Sequence, residues 1–485
     1  MPPEVQRTNV DGVETLWADA PGPLEATLTF RVGAVDESLY TRGITTLAAR
    51  LALQGFDGVT RGLGVSGYLH TTAFNAVGDA AEVLSFLRHV SQTLSRPPME
   101  RLEAAREVAL VHDRFYHPSV EDGLLSARFG PRGPGLYGYR HLGLHHADAD
   151  AVSTVIERYF RRENALLTLN KPPPAGLSVA VAGGGTEQPI PRLDPLPLDL
   201  PGWCEFGQED VCVSSLQRVT RGSAYLHGIV AARLNDKLHG SESESVRSGY
   251  GPLGHGLVHI SIEARAEEPR LAEARDVLIA TVDDLAAWGP RTEEVAAVTA
   301  ARRYRWAGDF DSYSRLLGRK AYLRQLRESD ADDPPPGPDD VQEAAGDLSR
   351  NALYAVPKRM AMPVTIAAVA RSSAHTVEGR TYLPTGDGDS DARLTVGPEG
   401  VTLTLRGRRS TVLFRHCEAM EQWEDGVRAL YGSDGFALRI DPRLWADGAS
   451  AVAAVDAGAG GVAIRMLPDP PKVDYLGPER SRGAG

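Results

Sequence analysis

Apolar and polar residues alternate with two different periods along the first 170 positions, and this predicts interleaved strands and helices. Glu25–Val32 alternates from one residue to the next, as a half-buried strand does, and Leu69–Ala76 is predicted as another strand. Gly43–Leu53 and Ala80–Leu94 instead repeat their apolar residues at helical spacing, which is typical of an amphipathic helix. Three further elements are predicted: helices at Met99–Val111 and Ala149–Phe160 and a strand at Asn164–Asn170.

A segment rich in proline and glycine separates this unit from a second one. Gly183–Pro201 contains a glycine triplet followed by five prolines and predicts a linker. After it the pattern predicts a helix, a strand and two more helices, at Ser223–Leu238, Gly256–Ala264, Glu268–Leu285 and Thr292–Trp306. The order of strand, long helix and helix occurs in both units, which is compatible with an internal duplication.

The character of the chain changes after about Tyr382. Short strands joined by glycine-rich turns are predicted at Ala392–Thr404, Ser410–Phe414 and Gly435–Ile440, followed by a small helix at Ala449–Ala457. Before this change, Asp330–Asp340 is charged and rich in proline, which predicts a solvated loop. We therefore expect a small, mostly β module that resembles a small barrel or a pleckstrin-homology-like module.

These patterns predict an α+β fold with two similar α/β halves, each a layered sheet with helices, and a small β-rich module after them. The expected divisions are an N-terminal domain at 1–182, a linker at 183–202, a C-terminal domain at 203–372, the β-rich module at 373–470 and a disordered tail at 471–485.

Composition and charge exclude some classes of function. Hydrophobic residues make up 42% of the chain and charged residues 24%, as in ordinary soluble globular proteins. The formal net charge is -12, and an acidic chain lacks the basic footprint that nucleic-acid binding requires. We therefore expect no nucleic-acid partner.

The cysteines and the N-terminal residues indicate the compartment. Cys204, Cys212 and Cys417 are an odd, sparse set, which favours a reducing cytoplasm over a disulfide framework. The N-terminal residues lack the apolar region of a signal peptide, and no stretch approaches the roughly 18 apolar residues that span a bilayer. The sequence thus predicts a cytoplasmic protein with no membrane segment.

One strand and the helix after it carry the most informative motif. The apolar strand ends in a valine–glycine turn at Val32-Gly33, and the helix begins at Gly43 with the letters GITTLAAR. This order resembles the N-terminal half of the inverted-zincin family, which includes pitrilysin, insulin-degrading enzyme and mitochondrial processing peptidase. In that family the helix carries G-x-x-H-x-x-E-H. The resemblance extends over about 170 residues through three further segments, Phe74–Ala76, Tyr137–Gly143 and Val155–Ala165.

The family's zinc site is replaced in this chain. In the family, two histidines and a later glutamate hold Zn²⁺, and the motif glutamate takes a proton from the bound water. Here the first histidine position is Thr46, the base position is Ala49 and the second histidine position is Arg50. The third ligand position, at the end of AREVALVH, is His112. The resemblance therefore implies that this chain has no catalytic residue, no metal and no cofactor, with zinc expected in a partner.

The second half resembles the family's C-terminal domain more loosely. That domain carries an arginine and a tyrosine that hydrogen-bond bound substrate, and Tyr250 matches the tyrosine. His239 occupies the most direct arginine position, while Arg247 is the alternative, from an inserted loop. The resemblance implies a substrate-binding role for Tyr250, Arg247 and His239; the alternative interpretation is a surface turn.

Two histidines outside the motif are alternative candidates for a metal site. His255 and His259 lie four positions apart in GHGLVHISI, so that in a strand they would share a face. No carboxylate or third histidine is placed beside them, and packing or surface histidines are the more ordinary interpretation.

Three hypotheses of function follow. The first is a non-catalytic, peptide-binding subunit of a heterodimeric zinc metallopeptidase that processes precursor or leader peptides, with the H-x-x-E-H site on a paralogous partner. The second is a peptide-binding or scaffold protein without a peptidase partner. The third is a different enzyme with a relocated metal at His112, His255 or His259.

Overall fold

The computed structural model describes residues 4–56, 64–206, 210–238, 245–304, 309–328, 334–369, 372–385 and 391–466. These residues form two six-stranded sheets with their helices and two four-stranded sheets near the C-terminus. The described part of the chain has no helix that is both long enough and apolar enough to cross a bilayer.

The first half is a six-stranded sheet covered by helices. Its strands are β1 (Gln6–Val10), β2 (Val13–Trp17), β3 (Leu24–Phe30), β4 (Gly64–Gly67), β5 (Thr72–Gly78) and β6 (Ala165–Leu169), and its helices are α1 (Ile44–Ala52), α2 (Ala80–Ser95), α3 (Leu102–Arg114), α4 (Val120–Phe129) and α5 (Ala149–Tyr159). In space the strands run in the order β1-β2-β6-β3-β5-β4. β2 and β6 pair in parallel, and the other neighbours pair antiparallel.

The second half repeats this arrangement. Its strands are β7 (Gly202–Glu205), β8 (Asp210–Arg218), β9 (Ser245–Gly254), β10 (Leu257–Arg265), β11 (Leu353–Val356) and β12 (Ala367–Ala368), and its helices are α6 (Arg221–Leu238), α7 (Leu271–Trp288), α8 (Thr292–Tyr304), α9 (Phe310–Gln325) and α10 (Pro338–Arg350). The order β7-β11-β8-β10-β9 matches β2-β6-β3-β5-β4 strand for strand, including the parallel pair. Two similar halves were predicted from the sequence, and the shared topology confirms them.

Each half exchanges one helix with the other. Val120 and Leu124 of α4, from the first half, pack on Cys212, Leu353 and Ala355 of the second sheet. Conversely, Leu317 and Ala321 of α9 pack on Leu16, Ala18 and Leu166 of the first sheet. Each sheet therefore buries one face against its own helices and part of the other face against a helix from the opposite half.

The C-terminal residues form the expected β-rich module. Its elements are β13 (Arg380–Tyr382), β14 (Arg393–Gly397), β15 (Gly400–Leu405), β16 (Arg408–Leu413), β17 (Cys417–Gln422), β18 (Arg428–Gly432), β19 (Ala437–Ile440), α11 (Gly448–Ala459) and β20 (Ala463–Arg465). The two sheets, β13-β14-β15-β16 and β19-β18-β17-β20, enclose one apolar core with α11. The pleckstrin-homology-like assignment and the domain boundaries stay predictions.

The module is packed against the first half through an apolar seam. Leu39, Leu136 and Leu142 of the first half form one buried cluster with seven residues of the module. Five of these lie in β17, β18 and their connection and two lie in or directly after β20: Ala419, Trp423, Val427, Ala429, Tyr431, Ile464 and Met466. The rings of Tyr139 and Tyr431 meet edge to face, with centroids 5.7 Å apart. An ion pair between Arg132 and Glu418 closes the rim.

One predicted loop is wrong at its C-terminal end. Asp330–Asp340 was expected to be a solvated loop, but Pro338–Asp340 is the first turn of α10. The N–H of Gly337 donates to the Asp340 carboxylate, which caps the helix. Proline and aspartate are common in loops and also at helix starts, because the first turn needs no proline N–H and favours negative charge. Residues 329–333 lie outside the described residues.

Candidate functional site

The helix α1 begins at a glycine, as the motif requires. Gly43 has a φ of 96°, and a Cβ at this position would lie 2.8 Å from the Cβ of His141. The Glu37 carboxylate accepts from the N–H groups of Gly43 and Thr45 at 3.0 and 2.9 Å. Because helix N-termini favour a negative charge, Glu37 stabilises this end of α1. These hydrogen bonds therefore tie the start of α1 to the loop that contains Glu37.

The four positions that the sequence aligns with the zinc motif of the inverted zincins have different surroundings. Ala49 is fully buried in the apolar core of the first half, and its methyl group packs there. Thr46 is partly buried beside the edge strand β4, since a Cβ on Gly67 would lie 3.8 Å from its Oγ1. Arg50 is partly buried, and its Nε has no hydrogen-bond partner among the residues that the structure describes. His112 is exposed on α3.

These residues do not fit a zinc ion. Burial lowers the pKa of Arg50 but leaves a guanidinium that has no lone pair for a metal. Ala49 has no group that could take a proton, and Thr46 offers only a neutral hydroxyl. Among the residues that the structure describes, no group of three or more His, Cys, Asp or Glu side chains could hold a metal ion.

Asp113, the residue after His112, has a structural role. Asp113 of α3 is buried and accepts from the backbone N–H of His141 at 2.9 Å, while its carboxylate contacts Nδ1 of His141 and Nε of Arg140, each at 3.1 Å. Burial alone would raise the pKa of Asp113, but the hydrogen bonds and charge of His141, with the charge of Arg140, outweigh it and lower the pKa to about 2. Asp113 thus holds residues 140–141 against α3.

Tyr250 and Arg247 lie on β9, the edge strand of the second sheet, but on opposite faces. Arg247 pairs with Glu263 across the ladder and is 70% exposed, with 3.8 Å between Nη1 and the Glu263 carboxylate. Tyr250 pairs with Ile260 and packs on the helix side, where its ring lies 5.9 Å from that of His227. Burial raises the pKa of Tyr250 despite a hydrogen bond with Ser223. The two side chains are not brought together, and His239 lies outside the described residues.

His255 and His259 do not form a pair. His255 lies in the turn after β9, has a φ of 54° and places its Nε2 3.0 Å from the carbonyl oxygen of Ile190. His259 lies in β10 and is buried. The sequence spacing suggested a shared strand face, but the strand begins only at Leu257, so the two residues belong to different local structures.

His259 instead belongs to a chain of polar side chains between the halves, in which Ser214 and His259 are buried and the Glu121 side chain is 43% exposed. Its Nε2 lies 2.9 Å from Oγ of Ser214, and its Nδ1 lies 3.3 Å from the carboxylate of Glu121 on α4. The order serine, histidine, carboxylate is also that of hydrolytic triads. However, Ser214 is fully buried, and its Oγ already accepts from Nε of Arg128 at 2.8 Å. No substrate could reach this oxygen, and the chain fixes α4 to the second sheet.

Comparison with known proteins supports the fold at the level of structure. No protein-family model matches the sequence, and no curated protein matches it. A solved structure described as the inactive domain of a peptidase M16 from Pseudomonas fluorescens is similar over 74% of this chain and 99% of that chain, with a TM-score of 0.55 and 14% identity.

Two further solved structures show the range of proteins with this fold. Pitrilysin is similar over 73% of this chain and 45% of its own, with a TM-score of 0.56 and 13% identity. A chain of complex III2 from Candida albicans is similar over 72% of this chain and 95% of its own, with a TM-score of 0.56 and 11% identity. At these identities the likeness establishes the fold of the chain.

Proposed function

We propose that this chain, which has the fold of the pitrilysin-type peptidases, is a non-catalytic, peptide-binding subunit of a heterodimeric zinc metallopeptidase. The zinc-bearing H-x-x-E-H helix would be on a paralogous partner subunit, and the substrate would be a precursor or leader peptide. The single observation that carries this proposal is the environment of α1, where Ala49 is buried in the core and the cationic Arg50 stands at a ligand position.

The burial of Ala49, as well as the residue types at the motif positions, supports a chain without catalytic activity of its own. A general base must reach a metal-bound water, which requires an open position on the helix. Ala49 has no exposed surface, so a longer acidic side chain at this position would have to displace the core. The similar structure from Pseudomonas fluorescens is described as an inactive domain, which is consistent with this interpretation.

Peptide binding is supported by the two sheet edges. β4 is the last strand of the first sheet and runs beside Thr46, and β9 is the last strand of the second sheet and carries Tyr250. An extended peptide can add to an exposed edge through main-chain hydrogen bonds. β9 is ten residues long, and Ser245, Arg247, Ser248 and Gly251 on it are exposed, which provides an edge long enough for such pairing.

The proposal is tested by reconstitution. The chain is purified alone, and a paralogue that carries H-x-x-E-H is purified alone and then mixed with it. Hydrolysis of a fluorogenic precursor peptide is measured in all three samples. We expect activity only in the mixture, or a rise of at least tenfold over the paralogue alone. Hydrolysis by this chain alone, or an unchanged rate in the mixture, would contradict the proposal.

A pair of matched variants separates substrate binding from folding. Tyr250→Phe removes one hydroxyl on β9, whereas Tyr313→Phe removes one on α9, in the contact with the first sheet. We expect Tyr250→Phe to lower turnover of the mixture and Tyr313→Phe to leave it unchanged. If neither variant changes turnover, Tyr250 is not part of the substrate site.

A scaffold protein without a peptidase partner is the alternative. The packed C-terminal module favours it, as does the presence of the same fold in a chain of complex III2. A chain that remains monomeric or homodimeric, and never binds the H-x-x-E-H paralogue, would support this second function.

A further inference from the structure

A cavity of about 780 Å³ lies between the linker and the second sheet. The linker contributes Leu193, Leu196 and Leu198, and the sheet contributes Leu216 and Leu257. Ligand sites in proteins are typically about 300–1,000 Å³ in volume and mostly apolar, with a few polar groups at defined places. The cavity has this size and this lining, and it is separate from α1 and from Tyr250.

Arg128 is one of the polar groups of the cavity wall, and its hydrogen bonds hold it in place. The residue is only 3% exposed. Its Nε donates to Oγ of Ser214 at 2.8 Å, and its Nη2 donates to the carbonyl oxygens of Ser214 and Asn351 at 2.6 and 2.7 Å. Its Nη1 has no such partner within the described ranges and is not among the fully buried polar atoms. Nη1 is therefore the nitrogen available to a ligand.

The positive charge in this cavity is not balanced. Arg192 and Asp194, which both line it, pair with each other at 3.4 Å. Arg218 donates to the carbonyl oxygen of His255 at 3.3 Å. In the described part of the chain, neither Arg128 nor Arg218 forms an ion pair with a carboxylate. Burial lowers the pKa of Arg128 to about 10, so this cation has lost hydration without gaining an anion.

We propose that this cavity binds an apolar chain that ends in a carboxylate, with the carboxylate at Arg128 and Arg218 and the apolar chain among the leucines. Hydrogen bonds from guanidinium to carboxylate are strong and directional, and the ligand would supply the missing negative charge. A fatty acid and the free C-terminus of an apolar peptide share this chemistry. The site is independent of the proposed peptidase partner, because all of its residues are in this chain.

The test is calorimetric titration of the full chain with four probes. These are dodecanoate below its micelle concentration, dodecylamine, acetyl-Leu-Leu-Leu with a free carboxylate, and the same peptide as its amide. We expect at least one carboxylate to bind about tenfold or more tightly than its uncharged or cationic counterpart. Binding of dodecanoate alone would identify a fatty acid, and binding of the acid peptide alone would identify a peptide terminus. Equal binding of acid and amide, or no binding of either carboxylate, would overturn the proposal.

Two exposed arginines provide a variant and its control. Arg218→Gln removes a cation from the cavity, whereas Arg327→Gln removes one that pairs with Glu187 on the surface. We expect the first to weaken carboxylate binding about tenfold and the second to leave it unchanged. Arg128 is not the test position because it also holds the halves together. An Arg218→Gln chain that is folded by circular dichroism and binds with unchanged affinity would contradict the assignment.

Discussion

Nη2 of Arg128 donates a hydrogen bond of 2.7 Å to the carbonyl oxygen of Asn351, a residue 223 positions later in the chain. This contact joins α4 of the first half to the residue that directly follows α10 of the second. This contact and the hydrogen-bonded residues Ser214, His259 and Glu121 form the polar part of the interface between the halves. The exchanged helices form its apolar part. The halves therefore share one network and are expected to unfold together.

Loss of the Arg128 side chain should destabilise both halves. In Arg128→Met the hydroxyl of Ser214 and two carbonyl oxygens lose a buried donor, and we expect a loss of about 2–4 kcal/mol in the free energy of unfolding. Urea denaturation followed by circular dichroism measures it. Arg88→Met, on the exposed side of α2, is the control and should change stability by less than about 0.5 kcal/mol. Equal effects of the two substitutions would refute the structural role of Arg128.

Restoring the motif glutamate should damage the fold. Ala49 is fully buried, so Ala49→Glu places a carboxyl group in an apolar core, and we expect a loss of about 3–5 kcal/mol in the free energy of unfolding. Thr46→His, at a partly exposed position, should cost less than about 1 kcal/mol. Thermal unfolding of the two single variants compares them. A stable Ala49→Glu chain would show that the site has kept room for a catalytic base.

Asp113 should make stability depend on pH in the acid range. Its pKa is about 2 in the folded chain and 3.8 as an ordinary value, so its stabilisation is complete above pH 3.8 and is lost as the pH falls towards 2. We expect Asp113→Asn to lower the free energy of unfolding by about 2 kcal/mol at pH 7 and by less at pH 3. Urea denaturation at both pH values measures the difference. The matched control is Glu107→Gln, on the exposed face of α3. If the difference in free energy of unfolding between the original chain and Asp113→Asn is the same at both pH values, the assignment is wrong.

We expect the C-terminal module to be held less tightly on the first half when an apolar side chain of their contact is removed. Trp423 is 3% exposed between Leu39, Leu142 and the module's own strands, and Trp423→Ala should cost about 3–5 kcal/mol. Hydrogen exchange should then rise in residues 133–145 and in the module, and not in β8 or β10. Leu444→Ala, at a side chain that is 59% exposed, is the control. Unchanged exchange in Trp423→Ala would show that the module is held by other contacts.

Elements with strong local periodicity could be predicted from the sequence. The helix predicted at Ala80–Leu94 is observed at Ala80–Ser95, because its apolar stripe forms one continuous buried face. β1 was not predicted, since four of its five residues are exposed and carry no apolar pattern. Helix α4 was also missed. Gly123 weakens its helical pattern, yet the close packing requires this glycine, since a Cβ there would lie 2.4 Å from the ring of Phe206.

The sequence predicts which residue types stand at the candidate site and does not predict their geometry; that these residues form a degenerate zinc site stays a prediction. Thr46, Ala49, Arg50 and His112 could be identified by spacing along two helices, and α1 and α3 are indeed in contact. The residues predicted to bind substrate could not be placed in the same way, since whether Arg247 and Tyr250 share a face depends on the strand that contains them both. No motif in the sequence indicated Arg128 or the cavity that it lines.

The sequence by itself determined which segments repeat and which residue types stand at the positions of the zinc motif, because residue types are read directly and helices follow from the spacing of apolar residues along a short stretch. The tertiary structure alone decided which helix covers which sheet, where the module packs and which cations lack a counter-ion among the described residues. These depend on contacts between residues hundreds of positions apart, such as Arg128 and Asn351, and periodicity reports that a face is buried without identifying what buries it.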